Sequence, residues 1–371
     1  MKFTIQKVDI VDVLSKVQGL AGRKSNLAST ANVLIRAGES EISIAATDLE
    51  TGFEGFYPAK VESEGSLAIN ARKFFEIVRD FPSAEVRISE IDNHWIEIGN
   101  KNVEYHIVGM NPEEFPDIPK LDSVTFFEMP SSALKTMIER SMIIGTGDDK
   151  RAHIIGVYFE TLQKDEKTLV RMVTTDGSRL STVDHFCPED ASMPDFGSVL
   201  IPKKGLSEVN KFLESEGTVR VGLKDNHFIV KKEAETIIIR LLEGEFPRYS
   251  DIIQKSEGHR IVIDRQTFLM MLKRMSILSS EHYRSVIFHF SKGKLVVNST
   301  NPDIGESKEE IPIEFEGAPI EVAFNPRYFI DAANAIDEAN VLVHIVDGEK
   351  PCFLEPENDK TYLNVIMPMR I

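Results

Sequence analysis

Cysteine is scarce in this sequence, which has only two among its 371 residues, Cys187 and Cys352. Their wide separation, without a CxxC spacing, argues against a zinc site or a disulfide framework and is typical of a reducing compartment. Long apolar runs are also missing: none approaches the ~18 residues of a membrane-spanning helix, and the opening segment MKFTIQKVDIVD lacks the apolar core of a secretion signal. These absences predict a cytoplasmic protein with no membrane partner.

Positive charge is in deficit as well, because 43 Lys and Arg residues face 59 Asp and Glu residues, for a formal net charge of −16. That balance favours solubility and argues weakly against a nucleic-acid partner, although net charge does not say where the charges lie. The hydrophobic share of 42% and the charged share of 27% are ordinary for a folded globular protein. The length predicts two or three domains.

Recognisable catalytic motifs are absent too. The stretch GTGDDK at residues 145–150 lacks the GxxxxGK[ST] spacing of a phosphate-binding loop, and the nine histidines show no metal-ligand spacing. His185 follows Asp184, but no nucleophile motif accompanies the pair. Residues 176–178 are best interpreted as a turn, because Asx turns take the same place elsewhere in the chain. We therefore expect no enzyme: no catalytic residue, no metal and no cofactor.

The chain does contain a repeat. Residues 68–81, AINARKFFEIVRDF, predict a strand end followed by a helix, whose core face is formed at the i, i+3, i+4, i+7 spacing by Phe74, Ile77, Val78 and Phe81. The opposite face of this helix is partly basic. The same plan recurs at residues 199–215, VLIPKKGLSEVNKFLES, and at residues 321–337, EVAFNPRYFIDAANAID. The sequence therefore predicts three copies of one strand-and-helix unit.

Two further markers recur in the same order. Each repeat also begins with a strand and a first helix, which lie before the strand-and-helix unit just described. The apolar stripes that indicate these first helices are Ile10, Val13, Leu14 and Val17 in the first repeat, Leu134, Met137, Ile138 and Met142 in the second, and Phe268, Met271, Leu272 and Met275 in the third. Asx-type turns follow at Thr47-Asp48, Thr175-Asp176 and Thr300-Asn301. A repeat of roughly 125 residues is typical of a triplicated supersecondary unit.

Proline-rich linkers lie between the copies, NPEEFPDIPKLD before the second and EGEFPRYSDIIQKSEGHR before the third. We therefore predict three domains, at residues 1–121, 122–252 and 253–371. Helices are few and strands with period-two alternation fill most of the rest. The predicted fold class is α+β, with two helices packed on antiparallel sheets in each domain.

Several segments carry a resemblance that spans the whole chain. These are the start MKFTI, ARKFFEI at residues 71–77, TDGSRL at residues 175–180, EGEFPRY at residues 243–249, NPRYFIDAANAI at residues 325–336 and the terminal MPMRI. Their order and spacing resemble the bacterial DNA polymerase III beta subunit, the sliding clamp. The resemblance implies a head-to-tail homodimer with the DNA clamp fold, a closed ring whose helices line a hole for duplex DNA.

The resemblance also implies a function. It is that of a non-catalytic processivity subunit, which tethers the polymerase III catalytic subunit, the clamp loader, other DNA polymerases and repair proteins through a short peptide motif. The chain departs from the family in two places. Leu27-Ala28-Ser29-Thr30 stands where the family usually has Leu-Pro-Ile-Leu, and Ala152 with His153 stands where aromatic residues can occur.

Basic residues on helix faces and loops are the expected DNA contacts. Phosphate contacts without base readout give weak, sequence-independent, salt-sensitive binding, which a sliding protein requires. The predicted DNA-binding residues are Arg23, Arg72, Lys73, Arg79, Lys135, Arg140, Lys150, Arg151, Lys203, Lys204, Lys211, Lys273 and Arg274, with Lys16 and Arg265 on the same faces. Solvated helix faces that bind nothing are the alternative for each of them.

An apolar tail ends the sequence, and methionines can line an adaptable surface for short peptides. The resemblance implies that this tail joins the junction of the second and third domains in one groove. Its expected residues are Ile154, Thr175, Gly177, Ser178, Arg179, Leu180, Phe246, Pro247, Ile252, Ala332, Val365, Met367, Pro368, Met369, Arg370 and Ile371. Core filling at a domain junction is the alternative.

The resemblance further implies that an edge strand carrying Tyr105 and Ile107 pairs with the third domain of another subunit, near Ile277 and Leu278. Two rival classes of function stay open at this stage. An enzyme acting on a phosphorylated substrate would need an acid, base or metal set that the sequence does not show. A monomeric three-repeat adaptor that binds peptides without encircling DNA would need no basic helix faces.

Overall fold

A computed structural model of the protein describes residues 1–21, 28–119, 121–145, 151–188, 196–278 and 285–370. Arg23, Leu27, Lys150 and Ile371, and residues 146–149 of the GTGDDK stretch, lie outside these residues. The side chains of Ala28, Ala152 and His153 are likewise not described. Within the described ranges, no helix is both long and apolar enough to cross a membrane.

The first third of the chain alternates strands and two helices. Its elements are β1 (Lys2–Gln6), α1 (Lys7–Ala21), β2 (Asn32–Ala37), β3 (Glu41–Thr47), β4 (Thr51–Pro58), β5 (Lys60–Ser63), β6 (Gly65–Asn70), α2 (Ala71–Arg79), β7 (Glu85–Glu90), β8 (Trp95–Gly99) and β9 (Glu104–Val108).

The middle third repeats this order and adds one short helical turn. Its elements are β10 (Thr125–Pro130), α3 (Ser131–Ser141), α4 (Ala152–Ile155), β11 (Gly156–Lys164), β12 (Lys167–Thr175), β13 (Arg179–Phe186), β14 (Ser198–Pro202), α5 (Lys203–Phe212), β15 (Thr218–Lys224), β16 (His227–Lys232) and β17 (Glu235–Arg240).

The last third follows the same plan. Its elements are β18 (His259–Asp264), α6 (Arg265–Met275), β19 (Val286–Ser291), β20 (Lys294–Asn301), β21 (Gly305–Pro312), β22 (Ile320–Phe324), α7 (Pro326–Asn334), β23 (Asn340–Ile345), β24 (Cys352–Pro356) and β25 (Tyr362–Ile366). The prediction of three tandem α+β domains is confirmed.

Local sequence explains where the helices begin and which face they bury. At α2, the Asn70 side chain accepts a hydrogen bond from Lys73 N at 3.0 Å, which satisfies one of the unpaired amides of the first turn. Asn325 caps α7 in the same way, and Pro326 then occupies the first turn, where its missing N–H costs nothing. The apolar stripes predicted for the helices are buried almost throughout.

The structure divides into two compact units. Unit 1 is built chiefly from Met1–Lys135 and Lys204–Leu241. It holds a five-stranded antiparallel sheet, in the order β5-β1-β7-β8-β9, and an eight-stranded one, in the order β10-β15-β16-β17-β4-β3-β2-β6. Four strands of that second sheet come from the first third of the chain and four from the middle third, with β17 pairing β4.

Unit 2 is built chiefly from Thr136–Asp190 and Leu242–Ile371. Its eight-stranded sheet has the order β14-β11-β12-β13-β25-β24-β23-β18, and its four-stranded sheet has the order β21-β20-β19-β22. The middle repeat thus contributes half of its strands to each unit. Contact between strands of neighbouring repeats was not foreseen, whereas the domain boundaries at 121/122 and 252/253 stay predictions.

Candidate partner groove, cationic faces and subunit edge

A tight turn in unit 2 joins β12 to β13 and forms one rim of the predicted groove. Thr175 Oγ1 donates to Arg179 O at 2.7 Å and accepts from Gly177 N at 3.1 Å. Asp176 Oδ1 accepts from the backbone amides of Ser178 and Arg179, as in the Asx turn that the sequence predicts. Gly177 has a φ of +89°, a backbone conformation that a residue with a Cβ adopts only with strain.

The floor of the groove lies where β13 meets β25. Leu180 faces Val365 across this antiparallel pair, and both are buried. They pack with Val173, Tyr249 and Phe353 in one apolar cluster. Three further predicted groove residues, Ile154, Thr175 and Ala332, are also buried. They therefore support the surface of the groove and offer little area to a ligand.

Aromatic residues from the linker form the opposite rim. The Phe246 ring stacks on Tyr158 with 4.8 Å between ring centroids, and Tyr249 meets both edge-on. The Tyr249 hydroxyl donates to Glu160, and burial is the main reason that its pKa is raised. Pro247 and Ile252 lie exposed on the same segment. The sequence prediction missed Tyr158 and Tyr249, although EFPRY already contained the second.

The apolar tail is held in place by its backbone. Met367 N donates to Ser178 O at 3.0 Å, and Met369 N donates to Ala323 O at 2.8 Å. The side chains of these two methionines remain 40% and 37% exposed. A fixed backbone that presents flexible apolar side chains to solvent is what an adaptable peptide site needs, because the ordering cost of the tail has already been met. Pro368 and Arg370 complete the described part of the tail.

Arg179 holds parts of the groove together and is not available as a free cation. Its guanidinium bonds Asp176 at 3.0 Å and Asp331 at 2.7 Å, and it lies 4.4 Å from the centroid of the Tyr328 ring. A side chain this enclosed positions the Asx turn against α7. We therefore assign Arg179 to the framework of the groove.

Lys203 does not lie where the sequence predicts. It is 3% exposed, and its Nζ donates to Ile144 O at 2.8 Å and to Ile154 O at 2.7 Å. The assignment of Lys203 to the outer, DNA-facing side of its helix is therefore wrong, because the first turn of α5 points this side chain into the core. Burial, more than the nearby Arg179, lowers the pKa of Lys203 to about 8.

The buried lysine predicts a pH effect on stability. The folded pKa is about 8, against 10.5 for the free side chain, so the unfolded chain holds a proton between these values that the folded chain has released. The free energy of unfolding therefore rises with pH across this window, by up to about 3 kcal/mol from Lys203. Thermal unfolding of wild type and Lys203→Met, at neutral pH and near pH ~10, measures it.

The matched control is Lys204→Met, because Lys204 is the exposed neighbour and its pKa is raised by Asp48 and Glu50. That variant should keep the rise in stability across the window, while Lys203→Met should lose it. Equal pH dependence in all three proteins would show that Lys203 keeps its charge when buried.

Most of the other predicted DNA contacts are exposed but already paired with acidic side chains. On α2, Arg72 and Lys73 both reach Glu76, and Arg79 reaches Asp80. The remaining pairs are Lys204 with Asp48 and Glu50, Lys211 with Glu208, Arg274 with Glu309, Arg140 with Asp359, and Lys16 with Asp12 and Glu235. A phosphate must compete with these carboxylates, which weakens each contact.

Two predicted cations contact backbone carbonyls, and two others are exposed. Lys135 Nζ lies 3.4 Å from Leu213 O, and Arg265 Nε donates to Glu338 O at 2.8 Å. Lys273 is exposed and has no ion pair with any residue that the structure describes. Arg151 is exposed at the start of the segment that leads into α4. The DNA-binding role of all these side chains stays a prediction.

The predicted subunit edge is a true sheet edge in unit 1. β9 pairs only with β8 in the described sheet and leaves its other side unpaired. Tyr105 on this strand is 43% exposed, and Ile107 is partly exposed. In unit 2, Ile277 is 74% exposed after α6, and Leu278 O accepts from Asn301 Nδ2 at 2.8 Å. Two apolar surfaces thus stand in solvent where the dimer contact is predicted.

One group of side chains beside this edge could hold a metal ion. Ligand atoms of Glu97, Glu104 and His106 lie within 4.8 Å of one another on β8 and β9. His106 Nε2 lies 3.7 Å from Glu97 Oε2 and 3.8 Å from Glu104 Oε1. The expectation that the protein uses no metal stays a prediction.

Comparison with known proteins covers the whole chain. Three family models of the DNA polymerase III beta subunit match this chain in order. The model of the N-terminal domain matches residues 1–119, that of the central domain residues 128–248, and that of the C-terminal domain residues 251–370. A beta sliding clamp from Chlamydia pneumoniae is 27% identical over 371 residues, covering 100% of this chain and 99% of that protein.

Solved structures agree with the sequence matches. The crystal structure of the DNA polymerase III subunit beta from Pseudomonas aeruginosa matches with a TM-score of 0.91 at 26% identity, covering 100% of both chains. A sliding clamp from Bacillus subtilis has a TM-score of 0.92 at 24% identity over 100% of this chain and 99% of that one, a likeness of fold. With three domain models matched in order along its length, this chain belongs to the DNA polymerase III beta subunit family.

Proposed function

We propose that the protein is a DNA sliding clamp, a homodimeric ring that encircles double-stranded DNA without sequence specificity. The ring tethers the DNA polymerase III catalytic subunit, the clamp loader and other polymerases and repair proteins through a short peptide motif. It has no catalytic activity of its own and works in the cytoplasm. Membership of the beta subunit family along the whole chain supports this function.

The observation that best supports assembly into a ring is that each unit has a sheet edge with no partner strand among the described residues. β9 ends the five-stranded sheet and β21 ends the four-stranded sheet. The turn Ser276–Leu278 packs beside β21, so that the exposed Ile277 stands next to that edge. Pairing of β9 from one subunit with β21 from another would be head-to-tail, and such contacts close into rings when the rotation allows it.

The other edge of the five-stranded sheet is less suited to pairing. β5 is short, with the four residues KVES, and two of them are charged; a short strand with charged side chains is a common way to protect an edge. β9 instead carries Tyr105, Ile107 and Val108. The contrast favours β9 as the assembling edge of unit 1.

The paired cations on the helices support loose binding to DNA. Because Arg72, Lys73 and Lys211 each have a carboxylate partner, a phosphate gains only the difference between two ion pairs. The protein would then hold DNA through enclosure and not through affinity, which permits sliding. Arg23, Lys150 and Arg151 are the proposed additional phosphate contacts.

Retention on DNA of different topology tests the proposal. Protein loaded onto nicked circular DNA should elute with that DNA at moderate salt and should be lost when a restriction enzyme linearises the circle, because a ring slides off a free end. Charge reversal of Arg23, Lys150 and Arg151 together should reduce loading and its salt dependence while the dimer persists. Equal retention on circular and linear DNA, or a monomer in sedimentation, would instead favour the monomeric peptide-binding adaptor.

A further inference from the structure

The two eight-stranded sheets share one plan. Read from one edge, unit 1 runs β10-β15-β16-β17-β4-β3-β2-β6 and unit 2 runs β18-β23-β24-β25-β13-β12-β11-β14. By position, β17 and β4 correspond to β25 and β13, the strands that form the groove floor. Ile238 faces Gly52 in unit 1 as Val365 faces Leu180 in unit 2. Unit 1 therefore has its own counterpart of the groove.

The rim turn is also reproduced. Thr47 Oγ1 donates to Thr51 O at 3.0 Å and accepts from Leu49 N at 3.0 Å, while Asp48 Oδ1 accepts from Thr51 N at 2.7 Å. Leu49 has a φ of +76°, close to that of its counterpart glycine. The paired strand β17 is fixed to the turn in the same way, because Arg240 N at its end donates to Glu50 O at 2.8 Å. Arg240 thus stands where the groove of unit 2 has Met367.

The linker covers this second floor as well. Residues 114–116 and 245–247 both read EFP, and in unit 1 Phe115 packs with Leu34 and Ala45. Gly52 replaces the Leu180 of the other groove, and a Cβ built on it would lie 3.6 Å from Ile118 Cγ2. A Cβ there would be in ordinary van der Waals contact with the linker, and beside this contact Gly52 borders open space.

That space is a cavity of about 240 Å³, lined among others by Leu49, Gly52, Asp117, His227 and Arg240. A second cavity of about 430 Å³ shares Asp117 with it. The guanidinium of Arg240 has no ion pair or hydrogen bond with any described residue. Burial, and then Arg240, lower the pKa of His227, which favours the neutral form of its imidazole. The cavity therefore offers a free guanidinium next to an apolar slot.

The acidic groups around the cavity have two different roles. Lys204 Nζ lies 2.8 Å from Asp48 Oδ2 and 2.9 Å from Glu50 Oε2, so one positive charge is shared by these two carboxylates, which both point toward Lys204. Asp117 remains on the linker with an exposed carboxylate. A carboxylate there accepts N–H groups and repels a bare phosphate, which favours a peptide over a simple anion.

We propose that unit 1 carries a second peptide site, distinct from the partner groove, for an extended segment with an acidic residue beside an aliphatic one. The acidic side chain pairs with Arg240, the aliphatic side chain enters the slot above Gly52, and a backbone N–H donates to Asp117. The size of the cavity admits one or two residues, so that the site adds to binding elsewhere on the same partner and is weak by itself. This proposal does not depend on ring closure or on the groove of unit 2.

Methyl NMR of the full-length protein labelled at isoleucine tests it. The probe is acetyl-Gly-Leu-Asp-Leu-Gly-amide, and its matched partner has asparagine in place of aspartate. The acidic probe should shift the methyl groups of Ile118 and Ile238 in a saturable way and leave Ile154 and Ile252 of the partner groove unmoved. The asparagine probe, and the variant Arg240→Met, should each weaken binding about 10-fold, because each removes a charge-assisted bidentate contact.

Arg327→Met is the matched control, since Arg327 is exposed on α7 and lies outside both sites. It should leave the titration unchanged. Equal affinity for the two probes, no shift of Ile118 and Ile238 at millimolar probe, or shifts confined to Ile154 and Ile252 would overturn the proposal. Inorganic phosphate producing the same shifts as the acidic probe would also overturn it, because the cavity would then be a simple anion site.

Discussion

Replacement of both Ile277 and Leu278 by alanine should turn the dimer into a monomer at nanomolar concentration. Ile277 is 74% exposed in the isolated chain, so its truncation removes apolar area that only a partner subunit can bury. Burial of such a side chain contributes about 1.5–3 kcal/mol. A ring of two subunits contains two such contacts, so the loss occurs twice. The dissociation constant of the dimer should therefore rise at least ~100-fold. Sedimentation of fluorescently labelled protein measures it.

Val262→Ala is the matched control for this variant. Val262 is also an exposed aliphatic residue of unit 2, but it lies on β18, in the other sheet. It should leave the dimer unchanged. The thermal midpoint of the monomer should also be unchanged in the double variant, because Leu278 takes part in its hydrogen bond through its backbone oxygen. Dimers that persist at nanomolar protein would place the subunit contact elsewhere.

Deletion of the last five residues, 367–371, should abolish binding of clamp-loader and polymerase peptides while the dimer stays closed. The deletion removes two exposed methionines and the two backbone hydrogen bonds that seat them against Ser178 and Ala323. A single small groove gives roughly micromolar affinity, since few anchors must offset the ordering of a flexible peptide. Loss of one wall therefore leaves no measurable binding in a fluorescence-anisotropy titration.

The double variant Met367→Ala with Met369→Ala distinguishes the contribution of the methionine side chains to peptide binding from that of the tail backbone. It keeps the tail seated and should weaken peptide binding about 10-fold or more, whereas Met270→Ala, an exposed methionine on α6, should have no effect. If the truncated protein bound these peptides as well as the full chain does, the groove would lie elsewhere in unit 2.

The cations of the predicted DNA-binding faces are compatible with the proposal that a net acidic protein surrounds DNA. Arg72, Lys73 and Arg274 are exposed but held by neighbouring carboxylates. Such pairs are worth little in water, and both partners stay hydrated. A passing phosphate can therefore exchange with a carboxylate at small cost, which suits a contact that must be broken at each step along the duplex.

The sequence by itself determined the two helices of each repeat, the threefold repeat and the family, but not the short helical turn α4. Apolar spacing of 3.6 residues identifies the buried face of a helix without knowledge of what covers it, as Phe74 and Val78 on α2 and Phe329 and Ala333 on α7 show. The turn at Thr175 could be predicted for the same reason, since its hydrogen bonds join residues within four positions of one another.

Only the tertiary structure decided how the repeats share their sheets. β4 pairs with β17 across the boundary between the first two repeats, and β13 pairs with β25 across the boundary between the last two. Strand alternation says that a strand has a buried face but does not name its neighbour. The partner groove and the cavity of unit 1 both lie on such pairings, so their floors could not be derived from local patterns.

The same limit explains Lys203 and the paired cations. At the first turn of a helix the apolar stripe does not yet define inside and outside, so a lysine there could be read as surface. The structure instead buries Lys203 against the carbonyls of Ile144 and Ile154, which are distant in sequence. Burial and ion partners depend on which segments meet in space, and that depends on the packing of the whole unit.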